Sequence, residues 1–536
     1  MMRCLDRQPG RQFSRQFSRQ LSSQFISQLS SQFSRILGRQ ICRVRLLICL
    51  AVLTVLSGCD LAPVYTPPKM ILPADYRGSG PFVEATPQDQ LARGPWWQMF
   101  DDPELDRLEA QLDTANPDLL AAQETYTQAR DVVGEAQSGL FPQLTSQAFV
   151  SQNGESAHTL FHNSIGTNHE QSNGYGAAAT WEPDFWDEIG NSAKSAKESA
   201  QATAAQVASA RLSLEMELAS DYMAAHGLDT EHAAFQQAIA LYEKAVKITQ
   251  MRYAGKISSG LDAERARNQL ASAQAMDTDV EARRAVLEHA IAVLSGANPS
   301  TFSLPVRTDA HIALPEVPAG VPSALLQRRP DIAQAERAMA AANAAIGVSR
   351  AAFYPNIRLN ALGGFEDTGF ALASLPNTLW AVGASAMLPL FEGGLRKAEV
   401  QASWSRFAQT GDNYRATVLT AFRQVEDNLV LTDKLAIEAA QQQAALQAAV
   451  KVQNISMSLY RDGLDNYLNV TVAQIAALTA QITEVQVQTR RLQTAVALTG
   501  ALGGGWSTAE LPTADQTRPF NPLSPSTAPG DVHEPQ

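Results

Sequence analysis

Along residues 468–496 the apolar side chains Leu468, Val472, Ile475, Leu478, Ile482, Val485, Leu492 and Val496 step by threes and fours, with one turn skipped. That spacing predicts an α-helix with a coiled-coil-like seam. Residues 191–254 contain no proline and are rich in Ala, Gln, Glu and Lys, so they predict one helix of roughly 95 Å. Residues 397–461 are the counterpart, interrupted in composition only by Gly411. Rods of this length cannot bury a core alone and must pack side by side. A different period appears between them. Ile357, Leu359 and Ala361 alternate with Arg358 and Asn360, and Trp380, Val382, Ala384, Ala386 and Leu388 alternate with Ala381, Gly383, Ser385 and Met387. Earlier in the chain, Gln143, Thr145 and Gln147 oppose Leu144, Ala148 and Val150, and residues 175–181 return. Period two with one apolar face is the pattern of a membrane β-barrel strand, and it argues against a purely fibrous coiled coil.

The two kinds of element occur twice. Pro117, Asp118, Gly134 and Pro142 recur as Pro330, Asp331, Gly347 and Pro355 at an offset of 213. Pro183 and Phe185 match Pro389 and Phe391 at 206, and Tyr253, Leu261 and Gln274 match Tyr460, Leu468 and Gln481 at 207. Each half therefore reads helix, strand, loop, strand, long helix, turn, long helix. The prolines at 142, 183, 355 and 389 mark helix–strand junctions. Four strands cannot close a barrel, and open edges are not tolerated in lipid, so several chains must share one barrel.

The N-terminus changes the picture of where this happens. Arg39, Arg43 and Arg45 precede an apolar run over 46–56, too short to span a membrane, which ends in Leu56-Ser57-Gly58-Cys59. This is a lipobox, with Cys59 expected to be diacylated and to become the first mature residue. Asp60 behind it resembles the inner-membrane retention signal of enterobacterial lipoproteins. Residues 11–35 repeat Arg-Gln-Phe-Ser with drift and predict no packed structure, as a long leader or a start codon further in would give. The leader holds nine arginines and one aspartate, so its removal takes the net charge from −12 to −20. An acidic body argues against a nucleic-acid partner. The other cysteines, Cys4, Cys42 and Cys49, leave with the leader, which excludes disulfides and thiolate metal sites from the body.

Ordered motifs now carry a resemblance. They are Cys59 to Tyr65 with Pro67, Trp96-Trp97 followed by Phe100 to Leu105, and Arg329-Pro330-Asp331-Ile332. Leu390-Phe391-Glu392-Gly393-Gly394, Tyr460 to Leu468, and Leu502 to Trp506 complete the series. Over about residues 59–506 the chain resembles the TolC-like outer-membrane efflux factors, in their NodT-type lipoprotein branch. The resemblance implies a mainly α fold with a small β part: a long coiled-coil helical barrel plus four transmembrane strands per chain, closing a 12-stranded β-barrel as a homotrimer. It implies a periplasmic adaptor and an inner-membrane pump of the resistance–nodulation–division class as partners, besides outer-membrane lipid.

The expected division is leader 1–58, lipid-anchored segment 59–115, repeat one 116–297 with strands near 140–152 and 174–186, and an equatorial linker 298–328. Repeat two follows at 329–502 with strands near 353–364 and 379–391, then a C-terminal segment 503–536 whose end, from Pro512, predicts disorder. The hairpin turns at 253–262 and 460–469 are the expected periplasmic tips, where charge rings can seal a pore. By resemblance Asp465 forms the constriction, with Arg461, Asp462, Tyr460, Arg252 and Tyr253 as inter-helix gate partners. Relatives carry further acids deeper in the last helix, where this chain has Asn469 and Val472.

No catalytic constellation is present, and no cofactor or metal is expected. His158, His162 and His169 share a polar loop without acidic geometry, Gly503-Gly504-Gly505 lacks the Lys of a phosphate loop, and Glu182 and Asp184 only flank a proline. The expected function is the exit duct of a tripartite efflux pump for drugs or other small molecules. A protein-secretion duct, a metal-efflux duct and a non-porous envelope lipoprotein are the alternatives.

Overall fold

A computed structural model describes residues 59–70, 76, 95–154, 169–307, 312–315, 317, 325–369, 374–513 and 516–517. The leader 1–58, His158, His162 and the C-terminal tail beyond 517 lie outside the described residues, as do parts of both equatorial segments.

After a 3-10 turn at Trp96–Phe100 the helices are α1 (Pro103–Ala115), α2 (Pro117–Ser138), α3 (Glu188–Ala254) and α4 (Gly260–Leu294), with α5 (Pro330–Ala351), α6 (Leu395–Arg461) and α7 (Tyr467–Ala501) in the second half. The strands are β1 (Gln143–Gly154), β2 (His169–Trp181), β3 (Asn356–Asp367) and β4 (Thr378–Met387). Both α3 and α6 run 67 residues, about 100 Å at the helical rise. The first three strands lie two to five residues from the expected ranges, and β4 stops at Met387, short of 391. Leu140 and Phe141 stay in the turn that ends α2, and residues 182–187 turn rather than extend, because Phe185 N–H bonds back to Pro183 O at 2.9 Å. The helix α6 passes through Gly411 without a break, with Met339 packed beside it.

The duplication is structural as well as sequential. Asn116 caps α2 through Leu119 N–H (2.9 Å), while its amide donates to Leu294 O at the end of α4 (2.8 Å). In the second half Arg329 donates to Ala501 O at the end of α7 (2.8 Å). Each repeat is thus pinned by one side chain from its first helix to its last carbonyls, which have no partner inside their own helix. The left-handed residue before the long helix is Asp187 (φ 53) in one repeat and Gly394 (φ 94) in the other.

The main core lies at mid-length. Trp96, Trp97, Phe100, Leu105, Leu108 and Leu112 pack there against Leu218, Tyr222 and Met223 of α3, Ile291 of α4 and Val496 of α7. Further along, α3 packs on α4, α5 and α7, and α6 packs on α5 and α7. One expectation about α7 needs correction. Leu468, Val472 and Ile475 are 45%, 59% and 47% exposed, whereas Tyr467, Val470, Ala473, Gln474 and Ala477 are buried. From Leu478 onward the predicted seam packs inside the chain: Val485 and Val496 are buried, and the half-buried Leu478, Ile482 and Leu492 lie against core clusters. The small and aromatic face meets α6 and α3, and the apolar stripe of Leu468, Val472 and Ile475 near the tip is exposed on the single chain.

The sheet order is β1-β2-β3-β4, antiparallel throughout, with β1 and β4 as edges. The helix α2, which leads into β1, packs on α3 and buries only Leu119 and Val133. One flank of the chain is therefore α2 with β1, and the other is β4 with α6.

Candidate functional site

Pair register sorts the sheet into two faces. Leu144, Ala179, Ala361 and Val382 form one row, and Trp181, Leu359 and Ala384 form another. Beyond the first row, on the same face, come Ser146, Ala177, Gly363 and Trp380, and then Ala148, Tyr175 and Phe365. Val382 and Trp380 are 76% and 75% exposed, and Tyr175 stacks on Phe365 at 5.3 Å. The opposite face holds Gln143, Thr180, Asn360 and Gly383 in one row and Gln147, Gly176, Gly364 and Leu379 in another. It is mostly polar or small, with Phe149 lying over Gly174. A wall apolar on one side and polar on the other, with two open edges, is the wall of a barrel shared between chains.

At the helical end of this sheet the N-terminal strap is bound to the body. Cys59 N–H donates to Phe185 O (3.2 Å), and its side chain is exposed. Asp60 Oδ1 accepts from Ala62 N–H (2.8 Å) and from Nδ2 of the buried Asn191 (3.1 Å). Partial burial pushes the Asp60 carboxyl up, but the Ala62 and Asn191 bonds and the Lys194 charge outweigh it and hold it below 3.8. Arg350 donates to Leu61 O, Asn343 to Pro63 O, and Tyr65 OH to Glu336 (2.7 Å). The candidate lipidated cysteine therefore sits where strands give way to helices, at the level of a membrane surface.

The other end carries the two hairpin tips. Both close in the same way: Ile257 N–H reaches Arg252 O (2.8 Å) and Leu464 N–H reaches Leu459 O (2.9 Å). The left-handed position is Lys256 (φ 57) in the first and Gly463 (φ 75) in the second. Arg252 crosses between tips, donating to Tyr460 O at 2.8 Å with its guanidinium 4.7 Å over the Tyr460 ring. Tyr460 is buried and meets Tyr467 edge-on at 5.2 Å, and burial raises both hydroxyls, Tyr467 to about 12. Asp465 Oδ1 accepts from Asn466 N–H and from Asn469 Nδ2, both at 2.8 Å. Tyr253 is 57% exposed and lies against Gly260, while Arg461 and Asp462 are exposed. Of the six expected gate residues the fold thus brings together Arg252 and Tyr460 within one chain and leaves the others at the surface of the tips. Tyr467, the third member of this contact, carries no signal in the sequence beyond an aromatic residue after the turn.

The remaining candidates have structural roles. Glu182 accepts from Asn356 Nδ2 and from Arg358 Nε (3.2 Å), tying strand ends together, and Asp184 accepts from Gly190 N–H (2.7 Å). Gly503, Gly504 and Gly505 all have positive φ, and a Cβ on Gly503 would fall 2.2 Å from Arg328 O, so they form a tight turn at the equator. His169 opens β2.

A profile described as outer membrane efflux protein matches residues 110–297 and 321–504, the two structural repeats. The chain belongs to that family. The chain is 29% identical over 459 residues to the pyoverdine export outer membrane protein OpmQ of Pseudomonas aeruginosa, covering 84% of this chain and 95% of the relative. It is also 29% identical over 457 residues to the toluene efflux pump outer membrane protein TtgC of Pseudomonas putida, covering 84% and 94%. Among solved structures, the outer-membrane channel OprN superposes with a TM-score of 0.77 at 25% identity, covering 84% of this chain and all of that one. As a member of this family the protein is the outer-membrane channel of a tripartite efflux pump, a trimer working with a periplasmic adaptor and an inner-membrane pump. It resides in the outer membrane and extends into the periplasm.

Proposed function

We propose that the chain is a passive duct whose only control is a periplasmic gate built around Asp465, and that it catalyses no reaction. The observation that carries this reading is the place of Asp465. It occupies the turn before α7, at the free end of a rod about 100 Å from the membrane sheet, and its carboxylate is braced by Asn466 and Asn469. Threefold repetition gathers three such carboxylates around one axis, an arrangement that favours cations and narrows the bore. Arg252 and Tyr460 keep the two tips of one chain moving together, and Arg461, Asp462 and Tyr253 are free to meet a neighbour or the adaptor. Cys59 carries the lipid.

The cargo is small molecules chosen by the pump. Relatives named for pyoverdine export and for toluene efflux align with 84% of this chain, which fits a conduit whose cargo is chosen elsewhere. Single-channel recording in planar bilayers tests the gate. Purified trimer is expected to open rarely and with cation bias, and Asp465→Ala to open more often with weaker bias. If neither protein gives cation-biased openings, the duct reading fails.

A further inference from the structure

Hairpin one carries a side-chain cluster that the conduit function does not use. His232 on α3 faces Asp277 and Glu281 on α4, about 33 Å from the hairpin tip. His232 Nδ1 lies 2.8 Å from Asp277 Oδ1 and 3.9 Å from Glu281 Oε1, and one ligand atom from each residue falls within 4.8 Å of the others. Ligand atoms around a tetrahedral zinc ion stand about 3.4 Å apart, so these separations bracket what coordination needs. The ion would therefore enter with small side-chain adjustments. Gln236, one turn along from His232, donates to Asp277 Oδ2 at 2.6 Å and fixes the carboxylate's other oxygen, as outer ligands of metal-binding carboxylates do.

Charge balance points the same way. Asp277 is 6% exposed, yet no Lys or Arg pairs with it among the described residues. Of the other five buried carboxylates among the described residues, four have an arginine: Asp229 has Arg284, Glu231 has Arg283, Glu215 has Arg211 and Asp102 has Arg307, while Glu109 has none. A buried carboxylate is expensive unless a cation accompanies it. Among the described residues its partners are an imidazole and an amide, with a second carboxylate at one edge.

We propose that His232, Asp277 and Glu281 bind one divalent transition-metal ion per chain, zinc being the best match to one imidazole and two carboxylates, and that the ion staples α3 to α4. Water completes the coordination from the side of Glu281, which is 61% exposed.

The test uses the full-length trimer in detergent, stripped with chelator and dialysed against zinc chloride, with bound zinc counted per chain by elemental analysis. Wild type is expected to hold one zinc more than His232→Ala and than Glu281→Gln. Zinc should raise the melting temperature of the wild type alone. Cobalt loading adds visible ligand-field bands that both variants lose. Because Glu281 lies at the surface, its variant keeps the test valid if His232→Ala fails to assemble. Equal zinc content in all three proteins, retention of zinc by Glu281→Gln, or no zinc in the wild type overturns the proposal and leaves the His232–Asp277 contact as an interhelical hydrogen bond.

Discussion

Glu109 on α1 is fully buried, and neither carboxyl oxygen has a hydrogen-bond partner among the described residues. Burial pushes its pKa up to about 10 from an ordinary 4.5, and the nearby charges of Glu215 and Asp113 add to the rise. Arg211 opposes the shift, but its guanidinium is engaged with Asp113 and with Glu215 (3.0 Å) rather than with Glu109. The folded chain therefore keeps the proton that an unfolded chain releases above pH 4.5. Stability from this group is whole below pH 4.5 and falls as pH rises towards 10, because over that window the unfolded state binds fewer protons. At about 1.4 kcal/mol per pH unit, the cost grows by about 3 kcal/mol between pH 5 and pH 7.5. Glu109→Gln imitates the protonated form and cannot ionise. It should match wild type closely at pH 5 and exceed it at pH 7.5. With about 2 cal/mol/K of unfolding entropy per residue, that difference is a melting-temperature gain of about 3 °C in a cooperative chain of this size. Melting of the detergent-solubilised trimer, followed by circular dichroism at both pH values, measures it. A variant whose advantage is the same at pH 5 and pH 7.5 would refute the argument.

Two further substitutions test other parts of the fold. Val382→Arg places a charge on the apolar face near the middle of β4 and should cost about 2–4 kcal/mol. Ser385→Arg, on the polar face, should leave assembly intact, and the yield of heat-modifiable trimer in outer-membrane fractions separates the two. Gly347→Ala puts a Cβ 2.6 Å from Asn191 Nδ2, so Asn191 must leave Asp60. The expected result is an N-terminal strap cut faster by limited proteolysis while the trimer persists, at a cost of about 1–3 kcal/mol.

The architecture was readable because its signals are local and repeated. The prolines at 117, 142, 330 and 355 stand at real element boundaries, and the period of two over 378–387 survives as an apolar lipid face. What the sequence hid depends on distance along the chain. Arg252 and Tyr460 are 208 residues apart, and no local pattern tells that the arginine serves a partner tip of its own chain rather than a neighbour. The stripe of Leu468, Val472 and Ile475 was legible as an apolar face but not as one exposed on the single chain, since periodicity gives a face and not its neighbour. Glu109 looks in sequence like any helical glutamate, and its burial follows only from α1 packing on α3. Asp60, ambiguous as a sorting residue, has a second role through Asn191 that only the folded strap reveals.

The two unlike flanks, α2 with β1 on one side and β4 with α6 on the other, set how defects spread through a population. Head-to-tail joints mean that a chain with one damaged flank still offers a sound one, so it enters a ring and then prevents that ring from closing. When sound and damaged chains are made in equal amounts and mix at random, only about one ring in eight contains three sound copies. A lesion at either sheet edge would therefore behave as a dominant allele, whereas a lesion that stops the chain from folding would merely lower the dose.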